Sequence, residues 1–395
     1  MNKYTLGVEP CKTSSVQLKI TGKEGEFSYS SMLKEIKGDE EIVSVAATLI
    51  WVSSWFFFTD LKKKKRRCIV YCCILLEVRI ARITRGHHHQ QRVIRLNVQE
   101  KGLARNISPS IGNLTFLHSL NIVNNSFQGG IPQEIGNLIQ LKEIYFTNNS
   151  LQGELPTSLA NCSHLRETHF SYNNLVGKIP VEVITSLPKL EILSINYNDL
   201  TGEIPTSFGN ISSIRLISLD GNKLQGSIPE SFGRLSNLYF LGLALNKLSG
   251  MFSVSLYNLS SLEVISVVGN QLRGSLPRDI GLTLPNLQNL QVEENLFSGS
   301  IPDSISNMST LKILGLAMNN FTRSVPNNLE NLQNLRVFLI GGNQFGTKEE
   351  ADDLDFVNSL LNCTNLEGLD ITRNALRAPC PTLKPIYQHS SHNLI

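Results

Sequence analysis

The sequence contains few of the residues that build enzyme sites and disulfide frameworks. Its 395 residues include seven Cys, eight His and two Trp, and only 17% are charged. It has no nucleophile-elbow motif, no His-Glu-x-x-His pair and no phosphate-binding glycine loop. We therefore expect a protein that is not an enzyme, with no catalytic residue and no cofactor.

The cysteines and histidines lack the spacing of a disulfide framework or a metal site. Cys162 and Cys363 occupy slots that Leu, Ile or Met fill elsewhere, so we expect two buried free thiols. The cysteines within residues 68–73 do not form paired Cys-x-x-Cys motifs. The His triplet at 87–89 has no acidic or Cys partner nearby, so we predict no metal site.

Charge is unevenly distributed along the chain. Residues 1–91 contain 15 Lys and Arg against 9 Asp and Glu, whereas residues 92–395 contain 21 against 24. The long C-terminal part therefore lacks the basic face that nucleic-acid binding requires. We expect no nucleic-acid partner.

One phrase recurs through most of the chain: an Asn, a Leu or Phe two residues later, a Gly, an Ile-Pro and a Gly-Asn. Its Asn advances in steps of 24 or 25 residues, Lys101 fills the slot one step earlier, and Asn374 follows after a longer step. This period indicates about twelve repeat units within residues 86–377. The marker asparagines are Asn125, Asn149, Asn173, Asn198, Asn222, Asn246, Asn270, Asn295, Asn319 and Asn343.

Each unit has the alternation of a short strand followed by a turn. In one unit Ile217 and Leu219 alternate with Ser218 and Asp220, and Asn222 follows where the chain turns away. One such coil cannot bury its apolar face alone, whereas stacked coils share a core. The pattern therefore predicts an α/β-type repeat solenoid, curved and right-handed, with a parallel sheet on its concave face.

Three segments carry a family resemblance. The phrase GGIPQEIGNL (129–138) resembles the plant type of leucine-rich repeat. The segments at 90–117 and 347–374, the latter with an insertion at 347–358, resemble the ectodomains of one subfamily of plant leucine-rich-repeat receptor-like kinases. Known members of that subfamily sense microbial molecules. The resemblance covers roughly residues 86–377 and implies a glycosylated extracellular domain.

The chain departs from that family at both ends. The signal peptide, cysteine-paired cap, transmembrane helix and kinase of such receptors are not found in their usual places. The tail at 378–395 is irregular and has no capping pattern. We therefore expect a truncated chain or an altered gene model, and an atypical N-terminal segment at 1–85.

That N-terminal segment contains an uncharged stretch followed by a basic run. Residues 42–58 are long enough for a short membrane span, and residues 62–67 are six consecutive positive charges. The stretch is read either as a membrane helix or as a buried hydrophobic helix beside a solvated basic run. A nuclear localisation signal is a further interpretation of the run. Membrane association through 42–58 is thus one expectation.

Two signals disagree about the side of the membrane on which the repeats lie. An acidic flank before the stretch and a basic flank after it place the repeats in the cytoplasm. Ten Asn-x-Ser/Thr sequons indicate the secretory pathway, and we favour a plasma-membrane or extracellular location. The predicted glycosylation sites are Asn106, Asn113, Asn124, Asn148, Asn161, Asn210, Asn258, Asn307, Asn320 and Asn362.

The outward residues of the concave strands are free to vary and predict a binding face. Aromatic side chains there are suited to anchor a ligand, Asp220 to pair with a basic group, and His169 to titrate near a pKa of about 6.5. We predict a non-enzymatic recognition module for a peptide or protein ligand, with a co-receptor as a possible partner. The alternatives are a fragment of a membrane receptor-like Ser/Thr kinase in defence signalling and a secreted enzyme inhibitor. The predicted binding residues are Tyr145, His169, Tyr172, Tyr197, Asp220 and Phe240.

Overall fold

The computed structural model describes residues 6–7, 19–20, 77–85, 88–346 and 353–377, with side chains described from Arg92 onward. The chain divides into two compact units, Met1–Leu190 and Glu191–Ile395. In both units a coil consists of a front strand, a second strand and a short helix. The predicted helix at 42–58, the basic run at 62–67 and the tail at 378–395 lie outside the described residues.

Front strands lie side by side in each unit, and from the third one onward they are three residues long and stack in parallel, residue for residue. In the first unit the front strands are β3 (Glu77–Arg85), β4 (His88–Asn97), β5 (Ser119–Asn121), β7 (Glu143–Tyr145) and β9 (Glu167–His169). In the second unit they are β11 (Ile192–Ser194), β13 (Leu216–Ser218), β15 (Phe240–Gly242), β17 (Val264–Ser266), β19 (Asn289–Gln291), β21 (Ile313–Gly315), β23 (Val337–Leu339) and β25 (Gly368–Asp370).

Second strands follow the front strands and also pair in parallel. In the first unit they are β6 (Gln128–Gly130), β8 (Ser150–Glu154) and β10 (Asn174–Val176). In the second unit they are β12 (Thr201–Glu203), β14 (Lys223–Gly226), β16 (Lys247–Met251), β18 (Gln271–Gly274), β20 (Leu296–Gly299), β22 (Asn320–Arg323) and β24 (Gln344–Phe345). The short strands β1 (Leu6–Gly7) and β2 (Lys19–Ile20) pair with each other in antiparallel fashion.

Short helices close each coil on the outer side, and six of the twelve described begin directly after the Pro of an Ile-Pro or Leu-Pro pair, because proline is well placed to precede a helix. The 3-10 helices are η1 (Pro109–Asn113), η2 (Gln133–Asn137), η3 (Thr157–Asn161), η4 (Thr206–Asn210), η5 (Glu230–Arg234), η6 (Val254–Asn258), η7 (Asp303–Asn307), η8 (Leu329–Asn331) and η9 (Leu360–Asn362). The α-helical turns are α1 (Val181–Ser186), α2 (Ile280–Thr283) and α3 (Asp355–Ser359).

The apolar residues of the repeat lie in the core of each unit. The middle residue of the three-residue front strands from β5 to β23, such as Ile217 or Leu241, is buried, because alternate residues of a strand point to opposite faces. Phe297, Phe321 and Phe345 stack in successive coils with ring centroids 6.4 and 6.0 Å apart. The shared core confirms the reasoning that no coil buries its apolar side by itself.

Asparagines connect each coil to the preceding one, and we call this series of residues and their hydrogen bonds the asparagine ladder. Asn222 donates from Nδ2 to the carbonyl oxygens of Ile195 and Leu219, both at 3.0 Å, and its Oδ1 accepts the N–H of Leu200 at 3.0 Å. Ile195 and Leu200 belong to the preceding coil, so one amide satisfies backbone groups of two coils. The same pair of links recurs at Asn125, Asn149, Asn173, Asn246, Asn270, Asn295, Asn319, Asn343 and Asn374.

A left-handed residue precedes every ladder asparagine, because the backbone must turn inward to bury the amide. Its φ lies between 52° and 69° in the eleven coils that have the asparagine and also before Lys101, which fills that slot in the first coil. Glycine adopts this conformation at little cost, whereas a side chain with Cβ costs roughly 1–2 kcal/mol. The twelve residues are Glu100, Asn124, Asn148, Tyr172, Tyr197, Gly221, Leu245, Gly269, Glu294, Met318, Gly342 and Arg373.

The predicted repeat solenoid with a parallel sheet is confirmed. The end of the predicted N-terminal segment also contributes to the sheet, because β3 pairs with β4 in antiparallel fashion. The latter part of the predicted insertion, from Asp353, forms the turn leading into α3. Within the described ranges no helix has the length and apolar character needed to cross a bilayer.

We expect Asn222→Ala to lower the free energy of unfolding by about 2–4 kcal/mol, because the backbone N–H of Leu200 and the carbonyl of Ile195 lose a buried partner. Urea unfolding followed by circular dichroism measures the change. Asn331→Ala, at an exposed helix end outside the ladder, is the matched control and should cost less than about 0.5 kcal/mol. Equal losses in the two variants would contradict a special role for the ladder.

Candidate functional site

The solvent face of the front sheet has four rows of side chains. The first and second rows are the first and third residues of each three-residue front strand, and they point away from the core. The third row lies two residues after the strand, and the fourth row is the left-handed residue before the ladder asparagine. We call this surface the front face; it contains the residues that the sequence analysis assigned to the binding face.

On the first unit, two predicted residues form an aromatic pair. The rings of Tyr145 and His169, both in the second row, stack with centroids 4.9 Å apart and an interplanar angle of 17°. Glu167 lies beside both: it accepts a hydrogen bond from the Tyr145 hydroxyl at 2.6 Å, and its Oε2 is 3.6 Å from Nε2 of His169. The pair is therefore held in a fixed arrangement by a neighbouring carboxylate.

The environment of this pair changes its titration. Burial lowers the pKa of His169, and the charge of Glu167 opposes this shift only in part. His169 therefore titrates below the ordinary value assumed from the sequence. Burial and the hydrogen bond to Glu167 raise the pKa of Tyr145, so its hydroxyl stays protonated and acts as a donor. Arg95 donates to Glu143 at 3.2 Å on the same face.

Tyr172 and Tyr197 differ from the sequence interpretation. The alternation was expected to place them among the outward strand residues, but both lie in the fourth row, with φ of 55° and 53°. Their side chains are 51% and 43% exposed. The ring of Tyr197 covers Gly221 of the next coil, where an added Cβ would lie 2.6 Å from a ring carbon. The left-handed turn, which a strand period does not encode, accounts for the difference.

The other predicted residues of the second unit occupy two different rows. Asp220 is in the third row, where Oδ1 accepts the N–H of Ala244 at 2.8 Å and Oδ2 accepts the Ser218 hydroxyl at 2.9 Å. Phe240 is in the first row and pairs in register with Leu216 and Val264. The six predicted residues thus form two groups of three, one on each unit.

Sequence reasoning missed most of the first row of the second unit. Register pairing aligns Ile192, Leu216, Phe240, Val264, Asn289, Ile313 and Val337, and all seven are half-buried. Six of these seven residues are apolar, although they lie on the face of the sheet that points away from the hydrophobic core. Comparing the same slot across successive repeats would have found this row, whereas searching each repeat for aromatic and polar residues did not.

The second row of that unit is Ser or Gly in its first four coils and at Gly315, whereas Gln291, Leu339 and Asp370 are larger. Its two glycines accommodate carboxylates. Asp220 lies over Gly242 and Glu293 lies over Gly315, each so closely that a Cβ on the glycine would collide with the carboxylate. Oε2 of Glu293 is buried and has no hydrogen-bond partner among the described residues. Burial raises the pKa of both carboxyls. Hydrogen bonds oppose the shift at Asp220, and a hydrogen bond with its own backbone opposes it at Glu293.

The remaining sequence predictions concern cysteines, metals and glycans. Cys162 and Cys363 are buried free thiols, as expected, and burial raises the pKa of Cys162 to about 12. In the described part of the chain no group of His, Cys, Asp and Glu could hold a metal ion. The side chains of the His triplet at 87–89 lie outside the described residues.

All ten sequon asparagines are exposed. Six of them are the last residue of a 3-10 helix, and these six occur in alternate coils. The intervening helices end at Asn137, Ser186, Arg234, Thr283 and Asn331, which are outside sequons. The six are Asn113, Asn161, Asn210, Asn258, Asn307 and Asn362.

Comparison with known families agrees with this architecture. The family described as a leucine-rich repeat region matches residues 206–383, and leucine-rich repeat profiles match residues 116–138, 140–162 and 163–224. The chain belongs to the leucine-rich-repeat family. No curated protein sequence matches it.

Solved structures similar to this leucine-rich-repeat chain include plant receptors. The plant peptide hormone receptor RGFR1 in complex with RGF2 is 33% identical, with a TM-score of 0.64 over 69% of this chain and 42% of that one. A TDR receptor is 30% identical, with a TM-score of 0.66 over 72% and 48%. The ectodomain of the Arabidopsis thaliana receptor kinase GASSHO1/SCHENGEN3, in complex with CASPARIAN STRIP INTEGRITY FACTOR 2, is 31% identical, with a TM-score of 0.61 over 72% and 39%.

These similarities confirm the predicted resemblance to the ectodomains of plant leucine-rich-repeat receptors. The chain spans less than half the length of each of these three structures.

We expect Glu293→Gln to raise the free energy of unfolding at pH 7, because a neutral amide is less costly to bury than an unpaired carboxylate. The pKa of Glu293 in the folded protein lies above its ordinary value of 4.5. The stability that protonation of Glu293 contributes is therefore fully present below pH 4.5 and is lost as the pH rises through the folded pKa. The advantage of the variant should therefore grow from pH 4 to pH 7.

Thermal unfolding of the two proteins across this pH range measures the difference. Glu294→Gln, which changes the exposed neighbouring carboxylate, is the control. A constant difference at all pH values, or a destabilised Glu293→Gln, would show that burial does not raise this pKa.

Proposed function

We propose that this protein is a non-enzymatic recognition module that binds a peptide or protein ligand on its front face. The observation that carries the proposal is the first row of the second unit, where Ile192, Leu216, Phe240 and Val264 present half-buried apolar side chains on consecutive coils. A sheet face exposed to water ordinarily carries polar residues, and an apolar row there favours contact with a partner.

The fourth row supports the proposal independently. Tyr197, Leu245 and Met318 are 43%, 51% and 51% exposed, and all three adopt the left-handed conformation. Glycine occupies the same position at Gly221 and Gly269. Bulky apolar residues therefore occupy strained positions where each lies over a glycine of the next coil and yet leaves about half of its side chain exposed, and this favours a role in contact.

The structural relatives are consistent with this assignment. The plant receptor RGFR1 and the ectodomain of GASSHO1/SCHENGEN3 were solved with RGF2 and CASPARIAN STRIP INTEGRITY FACTOR 2 bound. By analogy we propose a peptide ligand for this chain, with Tyr145, His169 and Tyr172 as contacts on the first unit. On the second unit we propose Tyr197, Asp220 and Phe240 as contacts. A co-receptor is a further proposed partner.

We also propose that the repeats lie outside the cytoplasm, at the plasma membrane or in the extracellular space, and are glycosylated. The support is the exposure of all ten sequon asparagines and the position of six of them at the outer ends of 3-10 helices. Glycans at those helix ends would leave the front face free for a ligand.

Peptides selected from a displayed random library on the full chain should lose about thirtyfold in affinity when Phe240 or Tyr145 is replaced by Ala, if these residues are contact anchors. Isothermal calorimetry measures the affinity. Leu282→Ala is the control, because Leu282 lies on α2, away from the front face, and is 68% exposed. Peptides that lose affinity only with Leu282→Ala would place the binding surface elsewhere.

Expression through a plant secretory pathway should yield a glycoprotein whose mass falls on enzymatic removal of N-glycans. Peptide mapping should find glycans on the six helix-end asparagines. Replacing these six by Gln should remove most of the mass shift. A chain without any glycan after passage through the pathway would contradict the proposed location.

A further inference from the structure

We infer that the front face of the second unit binds an extended polypeptide segment with two basic side chains about four residues apart and apolar side chains between them. The inference rests on the proposed function, which requires only that some peptide or protein binds the front face. It adds the chemical class of the ligand and its register on the coils. The argument combines the apolar first row, the charges of the third row and the spacing of the coils.

The first row provides a continuous apolar strip. Ile192, Leu216, Phe240 and Val264 pair residue for residue across four consecutive coils. The second row beside them is small, with Ser194, Ser218, Gly242 and Ser266 in the same coils. A small second row between larger flanking side chains leaves room for an extended backbone to lie across the strands.

Negative charge on this face has no positive counterpart. Within residues 192–342 the four rows contain Asp220, Glu293 and Glu294 and no Lys or Arg. Asp220 and Glu293 are both in the third row and both are mostly shielded from water, yet neither forms a salt bridge in the described chain. A buried carboxylate without a cationic partner is costly, so a ligand cation would offset a cost that the free protein bears.

The basic side chains closest in sequence to the first row have other partners. They precede the front strands and lie at the opposite edge from the carboxylates. Arg215 lies over the ring of Tyr239 at 5.7 Å, Lys312 donates to Gln288 at 2.7 Å, and Arg336 pairs with Glu367 at 2.8 Å. Asp220 is stabilised by its hydrogen bonds to Ala244 and Ser218, and Oε2 of Glu293 has no partner in the described chain. Neither carboxylate has a positive partner there, and the charge of the face therefore favours a basic ligand.

The buried state of Glu293 strengthens the argument. Its Oε2 is enclosed and accepts no hydrogen bond from the described residues, although a neutral Gln would fit the same space at lower cost. Gly315 leaves the space that the carboxylate occupies. A residue that destabilises the free protein and is nevertheless accommodated by its neighbour is typical of a binding residue.

Coil spacing sets the register of the ligand. Asp220 follows β13 and Glu293 follows β19, which are three strand steps apart through β15 and β17. Three steps of about 4.8 Å make roughly 14 Å, and an extended chain covers that distance in about four residues. Residues i and i+4 of an extended chain point to the same side, here towards the carboxylates. Residues i+1 and i+3 point to the other side, towards Phe240 and Val264.

The test uses the full chain and a synthetic nonapeptide with two lysines four residues apart, a leucine and a valine at the alternate positions between them, and Gly and Ser elsewhere. Calorimetry should detect binding that weakens with added salt, because dissolved ions screen the attraction between the lysines of the free peptide and the carboxylates of the protein. Asp220→Asn and Glu293→Gln should each weaken binding about tenfold, as expected for a hydrogen bond to a charged group. Phe240→Ala should weaken it by a similar factor.

Two controls test the register and the sign of the charge. A peptide with its lysines three residues apart points them to opposite sides and should bind about tenfold more weakly. A peptide with glutamates in place of the lysines should not bind. Equal binding of the two lysine peptides, or unchanged binding by Asp220→Asn and Glu293→Gln, would overturn the inference.

Thermal unfolding separates a binding role from a structural one. Without peptide, Glu293→Gln should unfold at a higher temperature than the wild type. Addition of the lysine peptide should raise the unfolding temperature of Glu293→Gln by less than it raises that of the wild type. A lower temperature without peptide would make Glu293 a structural residue and overturn its role.

If glutamate or neutral peptides bind and depend on Phe240, the ligand class is wrong but the proposed function stands. If no selected peptide depends on front-face residues, the proposed function itself fails.

Discussion

The hydrogen bonds of the buried asparagines are the constraint on which the rest of this structure depends. Each amide donates to backbone carbonyls of its own coil and of the preceding coil and accepts an N–H from that coil, as at Asn222. A backbone turned inward without these bonds would leave buried polar groups unsatisfied in every repeat. The ladder therefore fixes both the spacing of the coils and the left-handed residue that precedes each asparagine.

Because the ladder and the apolar core fix the backbone, the four rows of the front face are free to differ from coil to coil. On the second unit they have separated by chemistry. The first row is apolar except at Asn289, the second is Ser or Gly in its first four coils, and the third contains carboxylates that lie over Gly242 and Gly315. The first unit instead has a polar and aromatic group around Glu167. One repeated frame thus supports two different surfaces.

The front face and the outer side of the coils have different chemistry. Strained apolar residues such as Leu245 and Met318 lie at the end of the front face, where glycine would be easier to accommodate. The outer side has short helices whose ends carry exposed sequons in alternate coils. On the second unit this division agrees with the proposed recognition face on one side and a solvated surface that glycans could modify on the other. On the first unit two sequon asparagines, Asn124 and Asn148, lie in the fourth row of the front face itself.

Much of the fold followed from the sequence alone, because its determinants are local and periodic. The step of 24 or 25 residues predicted the coils, the parallel sheet and the inward Leu and Ile positions, and it identified the ladder asparagines by number. It also placed Cys162 and Cys363 in the core. These features depend on the side-chain period and on stacking, which any unit of the repeat displays.

The site was predicted only in part, because its properties arise between coils. The sequence placed Tyr197 on a strand, but the turn that buries Asn198 moves it to the left-handed position. The apolar row from Ile192 to Val264 emerges only when strands from different repeats pair in register. Likewise, the burial of Glu293 depends on Gly315 one coil later. The sequence determined which residues repeat, and the tertiary structure decided which of them meet, because those contacts join residues about one repeat apart.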